Sequence, residues 1–113
     1  MKKSYRIRKN EEFSRIIKKK RYFSSANFAL YVDNKKEENS RVGISVSKKL
    51  GDAVTRNKIK RQVRMMFINF YDFDSSEYDL ICIVRSNYIN NSFAYNQAEL
   101  EKAVKKAIIN KYE

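Results

Sequence analysis

Residues 41–64, RVGISVSKKLGDAVTRNKIKRQVR, combine a strand pattern and a helix pattern on either side of a glycine. Aliphatic residues alternate with smaller ones across 42–46, as in a strand with one buried face. After Gly51 the apolar spacing lengthens to three and four, which predicts a helix from Thr55 to Tyr71. Either Asp52 or Thr55 is a suitable N-cap for it. The apolar stripe of the helix consists of Ile59, Val63, Met66, Phe67 and Phe70.

The predicted helix is basic along one flank. At about 100° per residue, Arg56, Lys60 and Arg64 form a column beside the apolar stripe. Residues 53–71 contain no acid, whereas an ordinary solvated face mixes both signs of charge. The pattern favours a nucleic-acid surface, and a basic solvated helix is the alternative. The cations and the one amide of this surface are Lys48, Lys49, Arg56, Asn57, Lys58, Lys60, Arg61 and Arg64.

The positive charge of the chain is concentrated in its first half. The chain has 113 residues, which is enough for one domain with a single core. Its net charge is +12. Residues 1–64 hold 20 of the 25 Lys and Arg and 6 of the 13 acids, a net +14, and the remainder carries −2. We therefore expect the basic half to bind a partner and the other half to serve as scaffold.

The remaining segments predict a small α/β domain. Residues 1–9 are basic and without period, which indicates an arm that is flexible or becomes ordered on RNA. Asn10 is a good N-cap for a helix carrying Phe13, Ile16 and Ile17. We expect a loop over 21–27, then a strand from Phe28 on which Tyr31 faces away from the core. The order αββαβα predicts an α+β fold, a two-layer sandwich with its helices against one sheet.

The last third of the chain contributes the central strand and a final helix. Residues 79–85 are apolar on both faces, as in a strand covered by helices, and the lone Cys82 within them is typical of a core thiol. Residues 86–94 have the composition of a polar loop. Asn96 and Glu99 have the spacing of a capping box, so we expect the helix to start near Asn96.

The residue types argue against catalysis by the polypeptide itself. Phosphodiester hydrolysis needs a base, a metal site or a nucleophile, and the chain has no His and only scattered acids. Ser45 to Lys48 fits Ser-x-x-Lys but lies on a strand, without companion motifs. The sequence contains no run of transmembrane length and its start is too charged for a signal peptide, so we expect a cytoplasmic protein without a membrane partner.

The central segment resembles a known family. RNKIKR at 56–61, following GISVSKKLG at 43–51, resembles the signature of the protein subunit of bacterial ribonuclease P, in which an Arg-Asn-Arg run opens a helix. Lys58 stands where that run has its second Arg, which keeps the charge but loses the planar fork. Weaker resemblance covers KNEEF at 9–13, the strand at 28–31 and the strand ending at Arg85.

The resemblance implies a fold and a function that periodicity alone does not reveal. The fold would be of the ribosomal protein S5 domain 2-like type, with order αββαβ(β)α, a further strand beside the central one and a left-handed βαβ crossover. The protein would bind the catalytic RNA and the 5′ leader of precursor tRNA and promote removal of the leader. The RNA subunit with Mg²⁺ would carry the chemistry, so no protein residue is catalytic and no organic cofactor is required.

The resemblance also implies roles for individual residues. The helix from Arg56 to Arg64, together with Lys48 and Lys49, would contact the catalytic RNA and the leader phosphates. Asn57 lies where the family helps hold a metal ion, a weak site for a single amide. The cleft that receives the leader would be lined by Phe13, Ile17, Tyr31, Lys48, Arg56, Lys60 and Arg64, with Ile17 in place of the aromatic common there.

Three other functions are compatible with a basic helix. A ribosomal or general RNA-binding protein would use the same surface without taking part in processing. A DNA-binding regulator would lay the helix in a major groove, but the second helix of a helix-turn-helix is missing. A membrane-surface helix is the least favoured of the three, because its basic flank would have to account for the whole fold. We therefore expect RNA partners and no DNA.

Overall fold

A computed structural model describes residues 1–110 and shows three helices and a four-stranded sheet. In chain order the elements are α1 (Asn10–Lys18), β1 (Tyr22–Ser24), β2 (Phe28–Asn34), β3 (Val42–Val46), α2 (Ala53–Phe70), β4 (Tyr78–Val84) and α3 (Phe93–Asn110). Short 3₁₀ turns occupy Lys3–Tyr5, Lys48–Leu50 and Ser86–Asn90.

The sheet is mixed and has the order β1-β2-β4-β3. β4 is the central strand, antiparallel to β2 and parallel to β3, with Tyr31 opposite Ile81 and Val42 opposite Leu80. α2 makes the crossover between the parallel neighbours, as expected. The extra strand implied by the resemblance is present, but it is β1, which pairs with β2 and lies within the predicted loop at 21–27. The α+β class is therefore confirmed, with a different position for the fourth strand.

The two faces of the sheet are covered unequally. On one face Leu80, Cys82 and Val84 of β4 pack with α2 and α3 in the main core. On the other face Ile81 packs with Ile16 of α1 in a second, smaller cluster. α1 thus adds a partial third layer to the expected sandwich. Each fully buried large aliphatic side chain contributes about 1.5–3 kcal/mol, so the main core provides most of the stability.

The predicted apolar stripe of α2 is confirmed. Ile59, Val63, Met66 and Phe67 are buried, and Phe70 lies half-buried at its end. The helix starts two residues earlier than expected, at Ala53, because the Asp52 carboxylate accepts a hydrogen bond from the Thr55 N–H at 2.9 Å. Asp52 is therefore the cap and Thr55 is not. Gly51 precedes it with φ 141°, a conformation that side chains disfavour.

Two predicted helix caps are wrong. Asn10 is the first residue of α1, and Lys9, at the cap position, provides no side-chain hydrogen bond. α3 begins at Phe93, because the Ser92 hydroxyl accepts from the Tyr95 N–H at 3.1 Å. Asn96 is instead buried, and its side-chain oxygen accepts a 2.6 Å hydrogen bond from the Asn27 amide. Part of the predicted loop at 86–94 is consequently helical.

The segment expected to be a flexible arm is packed against the domain. The Ile7 side chain is 3% exposed, and its N–H donates to the Val42 carbonyl oxygen at 3.0 Å. The Tyr5 ring stacks on Phe73 with the ring centroids 4.3 Å apart. These two apolar side chains explain the docking of a segment that is otherwise cationic. Among the described residues, no helix has the length and hydropathy needed to cross a bilayer.

Candidate nucleic-acid interface

Ion pairs and one glycine fix α1 above the sheet. Arg15 contacts Asp33 at 2.6 Å, and Arg41 joins Glu12 at 2.7 Å to the buried Asp79 at 3.1 Å. Gly43 lies under Phe13, where an added Cβ would come within 2.7 Å of the Phe13 Cζ atom. The absence of a side chain at Gly43 therefore lets the Phe13 ring rest directly on the sheet.

An aromatic patch, consisting of Phe13, Ile17, Tyr22 and Tyr31, lies where α1 leaves the sheet uncovered. Phe13, Ile17 and Tyr31 are half-buried against the second cluster. Tyr31 therefore faces away from the main core, as the alternation along β2 predicts. Tyr22, which is not among the predicted site residues, stacks on Tyr31 with a centroid distance of 5.1 Å and is 51% exposed. The pairing of Tyr22 with Tyr31 across β1 and β2 could be found only once β1 was recognised.

A basic cleft of about 460 Å³ opens on the other side of Phe13. Its floor is β3 with Ser45, and its walls are α2, the amino-terminal segment and Asn10, Phe13 and Ser14 of α1. The cations that line it are Arg6, Arg8, Lys60 and Arg64, and Phe13 and Ser45 line it beside them. Three of the expected leader-cleft residues, Phe13, Lys60 and Arg64, therefore line one cavity.

The other expected leader-cleft residues lie around this cavity without lining it. Ile17 and Tyr31 belong to the aromatic patch, which shares Phe13 with the basic cleft. Arg56 lies one turn before Lys60 on α2. Lys48 is exposed on the 3₁₀ turn that follows β3. The structure thus resolves the expected single cleft into an aromatic part and a basic part.

The basic flank of α2 makes no ion pair among the described residues. Arg56, Lys60 and Arg64 are half-buried, and Asn57, Lys58 and Arg61 are exposed. The cations of the described ion pairs all lie outside α2, and they are Arg15, Lys35, Arg41 and Lys105. Asp52, the nearest acid in sequence, accepts a hydrogen bond from the Thr55 N–H, which holds the pKa of its carboxyl below the ordinary value, and the charge of Arg56 lowers it a little further without an ion-pair contact. The flank is therefore left available to an external anion.

Like charges crowd around Arg64. Burial lowers the pKa of the Arg64 guanidinium, and the neighbouring Arg6 and Arg61 lower it further. The Arg56 Nε atom is buried without a hydrogen-bond partner among the described residues. Partly desolvated guanidinium groups of this kind are destabilising until a carboxylate or a phosphate binds them.

Lys48 and Lys49 extend the basic flank beyond the start of α2. They occupy the 3₁₀ turn between β3 and Gly51, in which the Ser47 hydroxyl accepts from the Lys49 N–H at 3.0 Å. The buried Leu50 anchors this turn, and both lysines remain exposed.

Of the predicted RNA-binding residues of α2, Lys60 and Arg64 line the basic cleft on one side of the buried Ile59. Lys58 lies on the other side, where it lines a separate hollow with Gln62 and Tyr88.

The described residues offer few groups for catalysis. Within residues 1–110, no three His, Cys, Asp or Glu side chains come together in a group that could hold a metal ion. Cys82 is fully buried, and burial raises the pKa of its thiol, so it stays protonated. Asn57 is exposed on α2 without a carboxylate partner among the described residues. The surface is suited to binding a polyanion.

Comparison with known proteins identifies the family. The profile of the family described as Ribonuclease P matches residues 1–108. The ribonuclease P protein component of Mesoplasma florum is 45% identical over 105 residues, covering 92% of this chain and 96% of the relative. The structure of the Staphylococcus aureus RNase P protein superposes with a TM-score of 0.81 at 42% identity, covering 93% of this chain and 96% of that chain.

A second structure of the Staphylococcus aureus protein, a mutant described as defective in mRNA degradation activity, gives a TM-score of 0.82 at 42% identity. It covers 93% of this chain and 89% of that chain. The sequence profile, the curated relative and the solved structures agree over nearly the full length. The chain therefore belongs to the ribonuclease P protein family, whose members are protein components of an endoribonuclease that has an RNA subunit.

Proposed function

We propose that this protein grips the catalytic RNA of ribonuclease P and the 5′ leader of precursor tRNA at the same time. One observation carries the proposal: the basic flank of α2 has no carboxylate partner among the described residues and runs beside an aromatic patch. Phosphates and unpaired bases are the two chemical groups that such a combination recognises. Both RNAs would be met in the cytoplasm.

The basic flank supplies the sequence-independent part of the affinity. Lys48, Lys49, Arg56, Lys58, Lys60, Arg61 and Arg64 are the cations assigned to RNA phosphates. Each phosphate neutralised releases counterions, so each contact changes the slope of log affinity against log salt by about 0.7–0.9. Neutralisation at this surface would also lower the Mg²⁺ concentration at which two mutually repelling RNAs associate.

The aromatic patch would hold leader bases. Tyr31 and Phe13 offer ring faces, and base stacking on an aromatic side chain contributes about 1–3 kcal/mol per base. Ile17 has no ring, so we assign it van der Waals contact beside Tyr31 and no stacking. Because every base has a π face, this patch would accept leaders of different sequence.

The protein would promote cleavage through its different affinities for precursor and product, and the RNA would carry out the chemistry. The precursor has a leader and the product does not, so a surface that holds the leader favours substrate over product and speeds turnover. The RNA subunit would hold the Mg²⁺, which would supply the metal-ion chemistry of phosphodiester hydrolysis. Asn57, exposed among the cations, would contribute at most one amide oxygen to a Mg²⁺ ion held by RNA phosphates.

Reconstitution with a cognate ribonuclease P RNA tests the proposal. We expect the protein to restore precursor cleavage at low Mg²⁺ and to make the complex bind precursor more tightly than mature tRNA. The triple variant Arg56→Ala, Lys60→Ala, Arg64→Ala should lose both effects. Lys102→Ala, which removes an exposed cation from α3, is the matched control and should behave as wild type. Equal affinity of the wild-type complex for precursor and mature tRNA would contradict the leader assignment.

The polypeptide without RNA should be tested separately. The Staphylococcus aureus relative is associated with mRNA degradation through its mutant structure, so an mRNA and a precursor tRNA are both suitable substrates. We expect neither to be cut by RNA-free protein, because the described side chains offer no metal-holding group. Cleavage that survives rigorous removal of RNA would place catalytic groups on the protein.

A further inference from the structure

The amino-terminal segment forms one wall of the basic cleft. Arg6 pairs with Val42 as a parallel bridge, and the Ile7 N–H donates to the Val42 carbonyl oxygen at 3.0 Å. The Ile7 side chain is buried in the second cluster with Ile16 and Ile81. Backbone pairing and a buried anchor thus fix the position of Arg6, as they would in an added edge strand.

Arg6 and Arg64 approach each other across this cleft from separate elements. Both line the cavity, and neither makes an ion pair with a described carboxylate. The Arg6 Nε atom is buried without a partner among the described residues, and the described side-chain hydrogen bond of Arg6 is a long one, 3.3 Å to the Met1 carbonyl oxygen. The positive charge of Arg6 also lowers the pKa of the Arg64 guanidinium, after the larger effect of burial. The free protein therefore holds two like charges together with few hydrogen bonds.

An anion between the two guanidinium groups would remove the repulsion and satisfy the free donors. The cleft of about 460 Å³ is near the lower end of the range of small-molecule pockets, about 300–1,000 Å³, and so it can admit a nucleotide but no duplex. Every charged side chain that lines it is a cation, namely Arg6, Arg8, Lys60 or Arg64, and its other polar side chains, Asn10, Ser14 and Ser45, are neutral. The chemistry points to the backbone of a single strand.

Resting on the function proposed above, we propose that Arg6 and Arg64 bind the same phosphate of the leader, so that the amino-terminal segment and α2 clamp the strand from opposite sides. Lys60 and Arg8, on the same two walls, lie where neighbouring phosphates would pass. The amino-terminal segment is then a working part of the interface, and its contribution does not depend on leader sequence.

Neutral linkages in the leader test the clamp. A set of precursors, each with one leader phosphodiester replaced by methylphosphonate, is titrated with the reconstituted holoenzyme. One position should weaken wild-type binding about tenfold, the equivalent of one charged hydrogen bond. Arg6→Gln and Arg64→Gln should each weaken binding of the unmodified precursor by about tenfold, and neither should lose further affinity when that same position is neutral.

The controls separate the clamp from a general effect of positive charge and from loss of the fold. Lys3→Gln removes an exposed charge from the same segment and should bind as wild type; an equal loss would show a general charge effect and overturn the clamp. Sensitivity at two different phosphates, wild-type binding by Arg6→Gln, or a large fall in its melting temperature would also overturn it. In those cases the wild type still prefers precursor to mature tRNA. Loss of that preference in the wild type would overturn the proposed function itself.

Discussion

Two pairs of arginines on this domain have opposite fates. Arg15 and Arg41 contact carboxylates at 2.6–3.1 Å and hold α1 on the sheet. Arg56 and Arg64 are also half-buried, yet neither contacts a described carboxylate. The difference shows that a basic composition alone does not identify a binding surface. What identifies it is which cations remain unpaired after the chain has folded.

The titration behaviour of the groups reflects this division. The hydrogen bond from Arg41 holds the pKa of the Glu12 carboxyl below its ordinary value. Burial raises the pKa of Asp79, and Arg41 offsets only part of that rise. Burial and cationic neighbours lower the pKa of Arg64. Arg41 therefore stabilises anions of its own chain, whereas Arg64 is held among like charges until RNA binds.

Arg41→Ala is expected to have the largest effect on stability. It leaves the fully buried Asp79 carboxylate without its cation, and removal of one partner of a buried pair costs about 3–5 kcal/mol. Urea unfolding at pH 7 measures this loss. The affinity of the folded variant for RNA should change little, because Arg41 is engaged inside the protein. A change below about 1 kcal/mol would show that Asp79 does not depend on Arg41.

The pH dependence of the Arg41→Ala variant sharpens this result. Without Arg41 the pKa of Asp79 lies further above its unfolded value of about 3.9, so the destabilisation is present at neutral pH and shrinks as the pH falls through the raised pKa. In the wild type the pKa of Glu12 is lowered, so the stability from its pairing with Arg41 is present at neutral pH and is lost as the pH falls. Both effects bring the variant and the wild type closer in acid. Arg41→Ala combined with Asp79→Asn should recover part of the stability at pH 7.

Tyr31→Ala is expected to weaken precursor binding by about 1–3 kcal/mol, because it removes a ring from the aromatic patch. The ring stacks on Tyr22 and packs beside Phe13, so the loss of the ring removes a stacking face. Mature tRNA should be affected much less, and Tyr31→Phe should retain most of the binding. Fluorescence anisotropy with both RNAs provides the comparison. Identical losses for precursor and product would assign Tyr31 to packing alone.

Arg56→Ala and Arg64→Ala should each weaken RNA binding by about 1 kcal/mol and reduce the salt slope by about one. Their stability should stay within about 0.5 kcal/mol of wild type, because neither arginine has a described carboxylate partner to lose. Titrations at several salt concentrations, together with thermal melts, separate the two quantities. A loss of stability comparable to that of Arg41→Ala would remove the distinction between the two pairs.

The sequence predicts the β3–turn–α2 unit well because each of its signals is local. The change of apolar period at Gly51 marks the turn, and the stripe from Ile59 to Phe67 marks the buried face. β1 is not predicted because only three residues form it, and its stability comes from pairing with β2. Asn96 has capping-box spacing, but a buried hydrogen bond to Asn27, 69 residues away, takes its side chain. Tertiary partners decide such cases.

The site is less predictable than the fold. Nothing local distinguishes Arg41 from Arg56, since Glu12 and Asp79 lie 29 and 38 residues from Arg41 in the chain. The docked amino-terminal segment did leave a signal, because Tyr5 and Ile7 are two large apolar residues among its cations. That signal is two residues long, so it acquires meaning only when the edge of β3 is known to be free.

Lys20 differs from both pairs of arginines because its backbone is strained, and its replacement should change stability the least. It follows α1 with φ 57°, a left-handed conformation that is unfavourable for a residue with a Cβ. Lys20→Gly should therefore raise stability by about 0.5–1 kcal/mol, measured by urea unfolding. Lys19→Gly, one residue earlier with φ −66°, is the matched control and should lower stability. If Lys20→Gly also weakened RNA binding, the charge of Lys20 would join the unpaired group with Arg56 and Arg64, and local strain would mark a binding residue.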